Sequence, residues 1–156
     1  MAITFTLNGA SVTLDMPEDA PLLSALRETV GLSGARFGCG AEACGACHVL
    51  LDGSSVPSCT LPLAAVAGRT VTTVEGLGSE TAPHPLQRAF LAEQAGQCGY
   101  CLSGILVSAA ALLEANAAPD EATIRKALDG HLCRCGSHNR IVRAVQRAAA
   151  EMGQRA

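Results

Sequence analysis

The sequence predicts an α+β fold in which a mixed sheet crossed by one helix is followed by four short helices. Up to about residue 75, short runs alternate apolar and polar side chains between turn sequences, which is typical of strands. From residue 87 onward, apolar side chains recur at helical spacing. Residues 76–86 are rich in Gly, Ser, Thr and Pro, which indicates a linker. We therefore predict two domains, over residues 1–75 and 87–156, joined by the linker 76–86.

The first half reads as two hairpins, a helix and a further strand. Asn8-Gly9 separates two alternating runs and predicts a two-residue hairpin turn. A helix is expected to begin near Pro21, with leucines on one face, and to end at Gly31. A second hairpin is predicted around Asp52-Gly53, and a strand of Val and Thr over residues 69–74.

The second half reads as four helices with short connections. They are expected over about residues 86–96, 101–114 and 119–130, and from His138 onward. Neither half is large enough for an extensive core. A metal that binds only the folded chain would add its binding free energy to the stability of both halves.

Composition excludes several classes of protein. With 49% hydrophobic and 16% charged residues, the 156-residue chain can bury a core and is not disordered. Aromatic residues make up only 3% and the net charge is −3, so a nucleic-acid-binding role is not expected.

The N-terminus lacks a signal-peptide pattern, and no apolar run could span a membrane. We expect a cytoplasmic protein, and leave open that a partner carries it to the periplasm or a membrane.

Eight cysteines in a chain without a visible export signal favour metal binding over disulfides. Three follow the spacing Cys39-x4-Cys44-x2-Cys47, and Cys59 comes eleven residues later. This order is the plant-type pattern for a [2Fe–2S] cluster, in which four thiolates complete two tetrahedral irons. Glycines between the cysteines allow the positive φ angles and close backbone approach that such a loop needs.

The other four cysteines form two pairs near predicted helix junctions. Cys98-x2-Cys101 and Cys133-x-Cys135 are separated by thirty-one residues. A structural zinc site is the competing interpretation, but zinc sites usually have wider spacing in both halves than C-x-C. Beside the first set, a second iron–sulfur site is favoured.

One motif competes with this interpretation. Cys44-Gly-Ala-Cys47-His48 also matches the C-x-x-C-H pattern of c-type haem attachment. Haem attachment would leave Cys39 and Cys59 without a role, so we favour His48 as the first residue of a strand.

The other histidines, at positions 84, 131 and 138, are expected to cap helices or lie at the surface. No catalytic set or nucleotide-binding motif is visible, so no catalytic residue is expected on this chain.

Taken together, the motifs identify a resemblance. Cys39-Gly-x3-Cys-Gly-Ala-Cys47, Gln97-Cys-Gly-Tyr-Cys101 and Leu132-Cys-Arg-Cys-Gly136 resemble the small iron–sulfur subunits of the molybdenum hydroxylases, the xanthine oxidase superfamily. The resemblance extends over nearly the whole chain. It implies a plant-ferredoxin-like β-grasp domain followed by a four-helix [2Fe–2S]-binding domain.

The resemblance also implies the roles of the cysteines. An outer cluster would be bound by Cys39, Cys44, Cys47 and Cys59. An inner cluster would be bound by Cys98, Cys101, Cys133 and Cys135. Gln97 and Cys135 would approach a molybdopterin cofactor on a large partner subunit. Electrons from aldehyde or N-heterocycle oxidation on that subunit would pass through both clusters to a further subunit carrying FAD or haem c, a flavoprotein or a cytochrome c.

Two residues depart from the resemblance: relatives commonly have glycine at the position of Glu42 and asparagine at that of His131. Two other functions stay open at this point. One is a stand-alone two-cluster ferredoxin that carries electrons without belonging to an enzyme. The other is a zinc-bearing interaction module.

Overall fold

The structure is a computed structural model and describes residues 2–154. Its first half forms a five-stranded mixed sheet in the order β2-β1-β5-β3-β4. The strands are β1 Ala2–Leu7, β2 Ala10–Asp15, β3 His48–Leu51, β4 Ser54–Pro57 and β5 Thr70–Thr72. Strands β1 and β5 pair in parallel, and all other neighbours are antiparallel. Alternate residues of β1 point into the core, as the period of two requires.

Both predicted hairpin turns are confirmed. Asn8 and Gly9 have φ angles of 49° and 85°, and Asp52 and Gly53 have φ angles of 49° and 84°. Positive φ at both central residues is the type I′ geometry that matches the twist of the flanking strands. The side chain of Asn8 also accepts a hydrogen bond from the N–H of Thr73 at 2.9 Å, which fastens the first turn to the end of β5.

One helix packs against the sheet, although its geometry changes along its length. Helix α1, Leu22–Ser24, continues as a π-helical segment, Ala25–Thr29, and Gly31 follows with a φ angle of 84°. Leu22, Leu23 and Leu26 are buried on its inner face. Two 3₁₀ turns, Leu63–Val66 and Val74–Gly76, were not predicted.

The second half contains the four predicted helices. They are α2 Pro85–Ala92, α3 Leu102–Ala115, α4 Glu121–Ala127 and α5 His138–Gly153. Helix α4 is shorter than predicted at both ends: it begins after its N-cap Asp120, whose side chain accepts from the N–H of Thr123, and it ends at Ala127. The helices bury a second hydrophobic core that is separate from the core beneath the sheet. The α+β class is confirmed, whereas the domain limits 1–75, 76–86 and 87–156 stay a prediction.

Helix α3 brings the two halves together. It packs against β3 and β4, and its residue Gly104 lies directly on the backbone of Gly45. A Cβ atom at Gly104 would overlap the carbonyl oxygen of Gly45, so only glycine allows this approach. Within residues 2–154, none of the helices combines the length and apolar character needed to cross a membrane.

Candidate functional site

Three of the eight cysteines lie on one loop, residues 36–47, which we call the outer loop. A hydrogen bond of 3.0 Å from the N–H of Arg36 to the carbonyl of Ala46 closes it. Gly40 and Gly45 adopt φ angles of 67° and 77°. At Gly38, a Cβ atom would lie 2.6 Å from the sulfur of Cys44. The glycines in this loop therefore let the backbone turn tightly and let it approach the thiol.

Backbone N–H groups of the outer loop point at one of its sulfurs. The N–H groups of Ala41 and Ala43 each donate to Cys39 Sγ at 3.3 Å. These bonds, with the nearby thiol of Cys44, lower the pKa of Cys39 to about 7. An N–H group that donates to sulfur stabilises its thiolate form, which is the form that binds metal.

The fourth cysteine of this set reaches the outer loop through its neighbour. Ser58 is fully buried, and both its N–H and its hydroxyl donate to the carbonyl of Cys47, at 3.3 and 2.6 Å. Cys59 is thereby held beside Cys47. Burial raises the pKa of the Cys47 thiol, and the neighbouring thiol of Cys59 adds to that rise.

Glu42 also connects the outer loop to this segment. Its carboxylate accepts a short hydrogen bond from the hydroxyl of Thr60. Its φ angle is 59°, a conformation that glycine adopts without strain and glutamate rarely does. This backbone geometry explains why a glycine would suit the position, and the contact with Thr60 holds the glutamate there.

The other cysteines, which we call the inner set, lie where two helices begin. Cys98 and Cys101 precede α3, and Cys133 and Cys135 precede α5. The N–H of Ser137 donates to Cys133 Sγ at 3.5 Å. Tertiary packing brings the two pairs of cysteines together. The thiol of Cys98 interacts with that of Cys135, and the thiol of Cys101 interacts with that of Cys133.

These four thiols differ in how readily they ionise. The N–H of Tyr100, followed by the thiol of Cys135, lowers the pKa of Cys98. Burial, together with the thiol of Cys133, raises the pKa of Cys101 to about 12. Burial also acts to raise the pKa of Cys133, but hydrogen bonds from Ser137 and Cys101 bring it below its ordinary value. A bound cation would be needed to ionise the buried Cys101 near neutral pH.

Gln97 lies beside the last cysteine of the inner set. Its side-chain amide donates to the carbonyl of Cys135 at 3.4 Å, and its side chain is exposed. The structure thus places together the two residues that the resemblance assigns to one contact with a partner's cofactor.

The donor chemistry fits two binuclear centres. Among residues 2–154, no three His, Cys, Asp or Glu side chains are placed to bind one metal ion. The thiols instead approach in pairs, Cys39 with Cys44 and Cys47 with Cys59 in one set, Cys98 with Cys135 and Cys101 with Cys133 in the other. A [2Fe–2S] centre takes four thiolates shared between two irons, so it needs two thiolates per iron and not four at one point.

Side chains that the sequence did not single out connect the outer loop to the inner set. Arg36 donates to the carbonyl of Gly99 at 3.1 Å, and its guanidinium lies 5.3 Å from the ring centre of Tyr100. The hydroxyl of Tyr100 donates to the carbonyl of Phe37. No spacing rule relates positions 36 and 99, so these contacts could be found only from the structure.

The histidines occupy three different environments. His84 caps α2, as predicted, by accepting from the N–H of Leu86 at 3.1 Å, and His138 is exposed. His48 begins β3 and is hydrogen-bonded to Ser55 at 2.8 Å. The expectation for His131 was wrong, because it neither caps a helix nor lies at the surface. It is 4% exposed, and its ring packs edge-on against that of His48.

Comparison with known families gives two matches. Residues 5–72 match the 2Fe-2S iron-sulfur cluster binding domain, and residues 73–146 match the [2Fe-2S] binding domain. The chain is 53% identical over 150 residues to the alpha chain of isoquinoline 1-oxidoreductase from Brevundimonas diminuta, covering 96% of this chain and 98% of that one. It is 50% identical over 147 residues to one of the subunits of nicotinate dehydrogenase from Pseudomonas putida, covering 94% of each.

A solved structure agrees over the whole fold. In quinoline 2-oxidoreductase from Pseudomonas putida 86, one chain superposes with a TM-score of 0.94 at 36% identity, covering 99% of this chain and 96% of that one. Aldehyde oxidoreductase from Desulfovibrio gigas superposes with a TM-score of 0.95 at 37% identity, covering 100% of this chain and 18% of that larger one.

The fold and the two matches define a protein with a ferredoxin-like β-grasp domain and a helical domain, each of a kind that binds a [2Fe–2S] cluster. More specifically, the chain belongs to the family of small iron–sulfur subunits of the molybdenum hydroxylases. It is an electron-transfer subunit of such an oxidoreductase, and its partner is a large subunit that holds the molybdenum cofactor. Neither the zinc module nor the stand-alone ferredoxin is supported by these matches.

Proposed function

We propose that the eight cysteines bind two [2Fe–2S] clusters in the sets described above. Cys39, Cys44, Cys47 and Cys59 bind the outer cluster, and Cys98, Cys101, Cys133 and Cys135 bind the inner one. The observation that carries this assignment is the pairwise approach of thiols within each set. A [2Fe–2S] cluster, when bound, takes up and passes on one electron at a time.

We further propose that the inner set faces the molybdopterin of the large subunit through Gln97 and Cys135. The amide of Gln97 is exposed beside the carbonyl of Cys135, so both can contact a group presented by a partner. The outer cluster then passes electrons on to a flavoprotein or a cytochrome c subunit. Cys39 is exposed on the outer loop, which leaves that site accessible to a second partner.

The substrate class we propose is an N-heterocycle, with an aldehyde as the second candidate. Two relatives that are 50% and 53% identical carry the names of enzymes that oxidise N-heterocycles, whereas two relatives named for aldehyde oxidation are 40% and 36% identical. The substrate pocket itself lies on the large subunit, and this chain contributes only the electron path.

The test is to co-express the chain with its large partner and to purify the complex. Iron and acid-labile sulfide should each amount to about four per chain, with two distinct electron paramagnetic resonance signals after reduction. Adding nicotinate or isoquinoline should reduce both centres under anaerobic conditions, and benzaldehyde should do so more slowly. Zinc in place of iron, or a chain that never co-purifies with molybdenum, would contradict the proposal.

A further inference from the structure

Besides the contacts of Arg36 and Tyr100, residues 131 and 132, which directly precede Cys133, also contact the outer loop. The N–H of Leu132 donates to the carbonyl of Cys44 at 3.0 Å. The ring of His131 lies against Gly45, where a Cβ atom would overlap the ring nitrogen Nδ1 and would come within 2.8 Å of the ring carbon Cγ and 2.9 Å of the carbonyl oxygen of Gly130. His131 and Leu132 thus contact Gly45 and Cys44, which are consecutive residues of the outer loop.

His131 is held from its other side by His48. The two ring centres are 4.7 Å apart with an interplanar angle of 65°. His48 is fixed in turn by Ser55 on β4, whose hydroxyl lies 2.8 Å from Nδ1 of His48 and 2.6 Å from the hydroxyl of Ser108 on α3. Strand β4 and helix α3 therefore determine where the His131 ring sits.

The His131 ring contributes mainly through its shape, because the nearby carbonyl of Gly45 forms no well-aligned hydrogen bond with it. Its Nδ1 atom is buried and has no hydrogen-bond partner among residues 2–154. Leaving a buried nitrogen unpaired costs free energy, so the histidine gains nothing at this atom over an apolar ring. What the ring does supply is volume between His48 and the backbone of Gly45.

From these contacts we infer that His131 is a positioning residue that fixes the separation of the two cluster sites. This inference rests on the proposed cluster assignment. One electron passes between the sites, so that the inner one is oxidised as the outer one is reduced. Because a transfer between two fixed sites depends on their geometry, a gap at His131 would slow it without removing either cluster.

The experiment compares two substitutions at position 131 in the complex with the large subunit. His131→Ala removes the ring, whereas His131→Phe keeps a ring and removes the unpaired nitrogen. His138→Ala is the matched control, because His138 is a nearby histidine whose side chain is exposed. Iron content, the magnetic interaction between the two reduced clusters and the rate of transfer between them after rapid reduction are measured.

We expect H131A to keep iron, to change the magnetic interaction, and to slow transfer several-fold, because electron transfer slows as the distance between its donor and acceptor grows. H131F and H138A should behave like the unmodified complex. If H131A loses iron, the H131F variant becomes the test. The inference then stands only if H131F retains iron and shows the same magnetic interaction between its clusters as the unmodified complex. Equal losses in H131A and H131F, or an unchanged H131A, overturn it. Absence of iron from the unmodified complex would instead overturn the proposed cluster assignment.

Discussion

The two sets of four cysteines are held in place by different means. In the outer loop, three cysteines are close in sequence and the loop closes on itself through Arg36 and Ala46. In the inner set, thirty-one residues and two helices separate Cys101 from Cys133, and only helix packing brings them together. One site is therefore organised mainly by local backbone geometry, and the other by the tertiary structure of the helical half.

The largest expected effect is the loss of a cluster when a buried cysteine is replaced, and comparing one such cysteine from each site tests the difference between the sites. Both Cys47→Ser and Cys101→Ser should reduce iron from about four to about two per chain. C101S should also lower the melting temperature of the helical half by about 5 °C more than C47S, equivalent to roughly 1 kcal/mol, because it removes a link between α3 and α5. The measurements are metal analysis and circular dichroism melting. Equal melting losses would show that both sites are organised alike.

The second prediction concerns the place where α3 supports the outer loop. Gly104→Ala inserts a methyl group where the carbonyl oxygen of Gly45 lies, so we expect overpacking to cost about 1–3 kcal/mol and the outer signal to be lost first. Gly153→Ala is the control, since no atom lies within 4 Å of its added methyl group. Chemical unfolding and electron paramagnetic resonance would measure both variants. A G104A protein as stable as G153A would contradict the close approach.

The third prediction separates a contact between the two halves from a contact within one. Arg36→Gln removes a donor to Gly99 and the stacking on Tyr100, so it should destabilise the join between the halves by about 1–2 kcal/mol. Arg27→Gln is matched, because Arg27 donates to Ser33 and Ala35 within the first half, at 2.9 and 2.8 Å. Hydrogen exchange at Tyr100 should rise in R36Q and stay unchanged in R27Q.

The smallest expected effect is confined to the helical half and depends on pH. Burial lowers the pKa of His84, whose neutral ring accepts the N–H of Leu86 at the start of α2. A lowered pKa in the folded state means that this stabilisation is complete above the unfolded value of about 6.5 and is lost as the pH falls through the lower folded value. Protection of the Leu86 amide should fall in that range by the equivalent of about 1 kcal/mol.

His84→Asn provides the comparison for this pH effect. Asparagine is a good N-cap residue and does not titrate, so protection of the Leu86 amide should no longer depend on pH between about 4.5 and 7. An unmodified protein whose α2 protection is equally independent of pH would show that the ring of His84 does not cap the helix.

How much could be predicted from the sequence differs between these regions. Both hairpins followed from Asn8-Gly9 and Asp52-Gly53, because type I′ turns need residues that accept positive φ. The four helices followed from apolar periodicity and from breaks in it. The π-helical geometry of Ala25–Thr29 could not be predicted, since its backbone spacing leaves no distinct pattern in so short a segment.

The sequence by itself determined which residues carry the chemistry of this protein. Thiols spaced as Cys39-x4-Cys44-x2-Cys47 and as two later pairs restrict the chain to few kinds of metal centre, because spacing limits which donors one short segment can present. Tertiary structure decided how the two sites meet. The contacts of His131 with Gly45, Gly104 with Gly45 and Arg36 with Gly99 join residues that are 59 to 86 positions apart. Such contacts depend on close packing between α3, the outer loop and the segment before α5, which no local pattern encodes.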